Sequence, residues 1–144
     1  MVYRAGVQTA ADRLVATYLR ALSTADAELA VSLFADDGVV HSPLYGSRPA
    51  AEFYPSLFAD TSQADLTLKS VMHGEDRTGA TTVSIWFHFD WRLPSGAAAP
   101  FDVVDVATVR SDGKIQNLHI IYDTVDVRPV FEAELRRPSW RHTP

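Results

Sequence analysis

At 144 residues, 47% hydrophobic and 22% charged, the chain fits one globular domain that can bury roughly two-thirds of its unfolded surface. A formal net charge of −5 argues against a nucleic-acid partner, which requires a surplus of Lys and Arg. The lack of cysteine excludes disulfides, thiolate catalysis and Cys-bound zinc. With neither an export signal nor an apolar run of about 18 residues, a cytoplasmic enzyme or binding domain with no membrane partner is expected.

In chain order, residues 1–8 read as a loose leader and Thr9 as a helix cap, with Asp12 three residues on. Ala11, Leu14, Val15, Tyr18 and Leu22 then follow the spacing of one helix face. Ser23 and Asp26 read as a capping pair for a second helix over 25–35, ended by Asp36-Asp37-Gly38. A short strand, 38–42, stops at Pro43. Ser47 and Pro49 announce a third helical piece bearing Phe53, Tyr54, Leu57 and Phe58. Pro55 within it predicts two short turns or a kink.

From Ala64 the period becomes two. Leu66, Leu68, Ser70 and Met72 share one strand face, and a turn follows over 75–79. The longest strand, 81–93, sets Val83, Ile85, Phe87, Phe89 and Trp91 against Ser84, Trp86, His88, Asp90 and Arg92. Hydrophobicity favours the odd-numbered face as the inner one, but aromatic residues on both faces leave the parity open. A loop over 94–100 precedes a hairpin, 102–123, whose Asp112-Gly113 is a strong turn signal. The tail beyond Asp123 reads as a packed segment over 130–135 and a frayed end. Three helical pieces followed by four main antiparallel strands give an α+β fold in a single domain, core about 10–128 with a tail over 129–144.

The hairpin holds the oddity. Asp105 shares a strand face with Val103, Ala107 and Val109. If that face points inward, the carboxyl lies in an apolar interior and its pKa rises. The five histidines, His41, His73, His88, His119 and His142, have no metal-ligand spacing, so neither a metal nor a cofactor is expected. Nucleophile-elbow, dinucleotide and phosphate-loop motifs are missing too. What remains is a scatter of polar groups in apolar surroundings: Tyr18, His41, Ser42, His88, Asp105 and Tyr122.

The segment VATYLRALSTADAELAVSLFADDGVVHSP resembles the N-terminal half of the nuclear transport factor 2-like superfamily, in its SnoaL-like polyketide cyclase and ketosteroid isomerase branches. VVDVATVRSDGKIQNLHIIYDT resembles the final hairpin of SnoaL-like proteins. The resemblance implies a cone-shaped, strongly curved antiparallel sheet wrapped around the N-terminal helices, with a deep apolar pocket. It also implies a homodimer. In the isomerase branch, a helix Tyr and a protonated Asp donate to an enolate oxygen while a second Asp moves the proton. The resemblance places the first two at Tyr18 and Asp105, and the third at Ser42, which cannot act as a carboxylate base.

Standard ketosteroid isomerisation is therefore not expected. The resemblance implies acid–base chemistry (isomerisation, cyclisation or dehydration) on an apolar carbonyl, enol or polyketide-like molecule. Tyr18 and Asp105 would form the oxyanion pair, and His88 or His41 would carry the proton. Phe53, Trp86, Leu118 and Tyr122 would line the pocket. Two rival readings stand beside it: a non-catalytic ligand-binding module, favoured by Ser42, and an interaction domain pairing through the outer sheet face.

Overall fold

The computed structural model describes residues 5–141, with side chains from residue 10 onward. Helix α1 spans Ala5–Thr24, so residues 5–8 are helical and the helix begins ahead of Thr9, whose side chain lies outside the described residues. Ala11, Val15, Tyr18, Ala21 and Leu22 form its buried stripe. Ala25, at φ 53°, turns the chain sharply. Asp26 caps α2 (Ala27–Ser32) by accepting from the Leu29 amide at 3.0 Å. Ser23 takes no part in that cap; its hydroxyl donates to the Arg20 carbonyl.

Strand β1 (Phe34–Ser42) starts four residues earlier than the sequence suggests. Gly38 therefore sits inside a strand rather than past a helix end. A Cβ there would lie 2.9 Å from the carbonyl oxygens of both Ala35 and Ile115, so close backbone approach explains the glycine. Strand β2 (Gly46–Pro49) returns antiparallel on β1, where the sequence suggested the start of a helix. Helix α3 (Ala50–Ala59) runs unbroken through Pro55. The missing hydrogen bond costs little there because Ala51 and Pro55 face solvent, while Phe53 and Tyr54 anchor the other side.

The sheet is completed by β3 (Gln63–Glu75), β4 (Thr81–Arg92), β5 (Phe101–Val109) and β6 (Ile115–Ile121). Its order is β2-β1-β6-β5-β4-β3, and every neighbouring pair is antiparallel except β1 with β6. The β5–β6 turn closes with Gly113 at φ 84° and the Asp112 carboxylate accepting from the Lys114 amide. The curved, unclosed sheet with helices inside its curve is the expected α+β cone.

Alternation settles the parity of β4. Val83, Ile85, Phe87, Phe89 and Trp91 are all buried, and each fully buried aromatic contributes about 1.5–3 kcal/mol. The register pairs Ile85 with Asp105 and Asp105 with Ile120, so the carboxyl joins this inner face.

Helix α4 (Val127–Leu135) follows, and residues 136–141 are tied down rather than frayed. The Arg128 guanidinium donates to the carbonyls of Trp140 at 2.6 Å and Pro43 at 3.1 Å, and the Trp140 amide donates to the Leu44 carbonyl at 2.8 Å. Gly46, at φ 79°, lets the Trp140 ring approach, since a Cβ there would lie 3.0 Å from it. Among the described residues, no helix is long and apolar enough to cross a membrane.

Candidate functional site

Three elements bring three hydroxyl-bearing or acidic groups together. The Tyr18 hydroxyl on α1 donates to Asp105 Oδ2 on β5 at 3.1 Å. The Tyr54 hydroxyl on α3 donates to the Tyr18 oxygen at 3.0 Å. Tyr18, Tyr54 and Asp105 are buried to 2%, 0% and 2% exposure, so the relay is shielded from water. Asp105 Oδ1 has no hydrogen-bond partner among the described residues. A buried carboxylate with one bare oxygen is costly, and the group answers by holding its proton. Burial raises the Asp105 pKa from 3.8 to about 7, opposed by the hydrogen bond from Tyr18. Burial first, with the neighbouring Asp105 adding to it, holds both tyrosines well above their ordinary range, so they remain neutral donors.

The relay borders a mostly apolar cavity of about 40 Å³, walled by Ser42, Phe53, Phe87, Phe101 and Tyr122 among others. A cavity of this size admits a water or two, whereas a benzene-sized guest needs on the order of 150 Å³. The deep pocket expected for a polycyclic molecule is narrow in this conformation. Tyr45, Leu57, Phe101, Ile120 and Tyr122 are the half-buried wall residues, and a guest larger than water must displace them to enter.

Tyr18, Asp105, Ser42, Phe53 and Tyr122 thus share one cavity. Ser42 Oγ is engaged: it accepts from the amides of Leu44 and Tyr45 at 3.2 Å, which shapes the turn between β1 and β2. Leu118 is on the inner face but packs in the core, off the cavity wall.

The histidines and Trp86 require correction. His88 and Trp86 occupy the outer face of β4, because the apolar odd-numbered residues take the inner one. Trp86 is 41% exposed beneath the Lys69 ammonium, and His88 Nδ1 lies 2.7 Å from Asp102 Oδ1. The hydrogen bond to His88 and, after it, that from Lys69 hold the exposed Asp102 carboxyl below its usual range. His41 alternates away from Ser42 and stacks on His119 at 4.2 Å, with Ser47 and Asn117 on its two ring nitrogens. Neither histidine reaches the cavity.

Tyr54 is the member of this hydrogen-bonded group missed in the sequence, where it reads as one more aromatic on an apolar helix face. A second group also escaped notice. The Tyr45 hydroxyl donates to Asp60 Oδ2 at 2.7 Å, and Arg137 pairs with the same oxygen at 3.1 Å. Among the described residues, no cluster of His, Cys, Asp and Glu is suited to hold a metal.

Comparison with curated proteins gives no sequence match. Solved structures share the fold at low identity. A protein from Catenulispora acidiphila with a ketosteroid isomerase-like fold, crystallised with trimethylamine, is 14% identical at a TM-score of 0.68, covering 87% of this chain and 93% of its own. TerC, co-crystallised with polyporic acid, is 19% identical at 0.67, covering 89% and 99%. SalBIII, an epoxide hydrolase/cyclase-like enzyme of pyran ring formation in salinomycin, is 18% identical at 0.64, covering 83% and 95%. The family model for the SnoaL-like domain matches residues 15–118, the span that carries Tyr18, Tyr54 and Asp105, and this chain belongs to that family.

Proposed function

We propose that the chain is a small-molecule enzyme that performs acid–base chemistry on an apolar carbonyl or enol compound. The observation that carries this reading is Asp105: a buried carboxyl, bare at Oδ1, beside a neutral tyrosine donor in an apolar cavity. A ligand oxygen in the cavity would take the Tyr18 hydrogen bond in place of Asp105 Oδ2. Tyr54, donating to the Tyr18 oxygen, strengthens Tyr18 as a donor. Tyr18 is then the donor that stabilises the developing oxyanion, which leaves the Asp105 carboxyl to carry the proton.

Proton transfer falls to Asp105. Among the described cavity-wall residues it is the single carboxyl, and both candidate histidines face away. With a pKa of about 7 it is populated in both forms at neutral pH, the condition that general acid–base catalysis favours. The polyporic acid co-crystallised with TerC and the pyran ring formation in which SalBIII takes part accord with enol and cyclisation chemistry on this fold. Proton abstraction by ionised Asp105 from the carbon next to a carbonyl, with Tyr18 holding the oxygen, is the step this arrangement supports.

The test is deuterium exchange of cyclohexanone α-protons in D₂O. The wild-type chain should accelerate exchange with a rate rising through about pH 7 as Asp105 ionises, and Asp105→Asn should abolish it. Exchange at the buffer rate would favour the non-catalytic binding module, for which Ser42 in place of a base is the supporting observation.

A further inference from the structure

Beside the inner cavity lies a second, larger hollow of about 340 Å³ between β2, α3 and the C-terminal segment. Leu44 and Tyr45 form the wall common to both. Its chemistry differs from that of the inner cavity: the rings of Tyr45, Phe131 and Trp140 meet the guanidinium groups of Arg48 and Arg137.

Arg48 is paired in register with Val40, whose side chain is buried on the inner face, so Arg48 projects to the same side of the sheet. Among the described residues it has no carboxylate, hydrogen-bond or ring partner. Arg137 is held by Asp60 and lies 5.9 Å from the Phe131 ring centre, which leaves most of its N–H groups unused. Among the described residues no carboxylate lines the hollow. The nearby acids are engaged: Asp60 by Tyr45 and Arg137, and Glu132 by the amide and hydroxyl of Ser139. In a chain of net charge −5, this is a locally cationic, ring-lined recess. Its outer wall is fixed by the Arg128 bonds to Trp140 and Pro43.

We infer that this recess is a binding subsite for the carboxylate of an aromatic or otherwise apolar acid. The guanidinium of Arg48, assisted by Arg137, pairs with the carboxylate, and the apolar body lies against Trp140, Phe131 and Tyr45. The inference deepens the proposed function by giving the substrate an acid group, and it rests on that reading only for the link to Asp105.

The experiment titrates the full chain and its Arg48→Gln variant with 2-naphthoate, its neutral amide 2-naphthamide, and inorganic phosphate. Affinity is read by calorimetry, and position by NMR of the Trp140 indole and Arg137 Nε signals. Arg48 is exposed, so the variant should fold. The wild type should prefer the acid over the amide by about tenfold, with both signals shifting, and Arg48→Gln should erase that preference. Equal affinity for acid and amide, no binding of either, binding no tighter than that of phosphate, or indifference to Arg48→Gln would overturn the subsite. If Asp105 titrates as an ordinary carboxyl while Arg48-dependent acid binding persists, the catalytic reading fails and the subsite stands.

Discussion

Replacing Asp105 by Asn removes the ionisable group at nearly constant shape, and its effect on stability should depend strongly on pH. Burial raises the folded-state pKa from 3.8 to about 7, so between those values the folded chain holds a proton that the unfolded chain releases. For an acid shifted upward, the associated stability is whole below about pH 4 and is lost as pH rises through about 7. At 1.36 kcal/mol per pKa unit, wild type should lose roughly 2 to 3 kcal/mol relative to Asp105→Asn between about pH 5 and pH 8. Urea unfolding of both chains at the two pH values measures this. Any fixed cost of the Asn amide cancels in the difference, as do contributions from surface groups common to both chains. A gap that stays flat with pH would refute the reasoning, because it would mean that Asp105 pays no desolvation cost when ionised.

Tyr18→Phe leaves the Tyr54 hydroxyl without its acceptor and strips Asp105 of its hydrogen bond. Denaturant melts should show a loss of about 1–3 kcal/mol, and NMR should show the Asp105 pKa moving further upward. Gly46→Ala combines a left-handed backbone position with a contact on Trp140, so it should cost about 1–2 kcal/mol and alter the tryptophan fluorescence. His88→Ala should leave cyclohexanone exchange and its pH profile unchanged; a lost or displaced profile would return the proton-carrier role to His88.

The sequence makes the skeleton of the site legible because the relevant signals are local. Alternation in β5 places Asp105 among apolar neighbours, and helical spacing puts Tyr18 on the buried stripe of α1. The resemblance couples those two across 87 positions, and the structure joins them by one hydrogen bond. Tyr54 stayed hidden because a phenol that packs and a phenol that donates look alike on a helix face; only the approach of α3 to α1 separates them. The parity of β4 stayed open because Trp86 and His88 counterfeit an inner face. It closes once Ile85 is seen opposite Asp105. The start of β1 was misplaced because Gly38 serves backbone approach rather than helix termination. The C-terminal wall rests on Arg128, whose bonds to Pro43 and Trp140 span long sequence separations that no periodicity reports.

The central claim, a carboxyl poised near neutrality that faces a ligand oxygen, is tested most directly by carbon-13 NMR titration of the Asp105 carboxyl, alone and with 4-nitrophenol as an enol mimic. The account predicts a midpoint near 7 in the free chain and a displaced resonance when the phenol binds. A midpoint near the ordinary aspartate value of about 4, unmoved by the phenol, would contradict it.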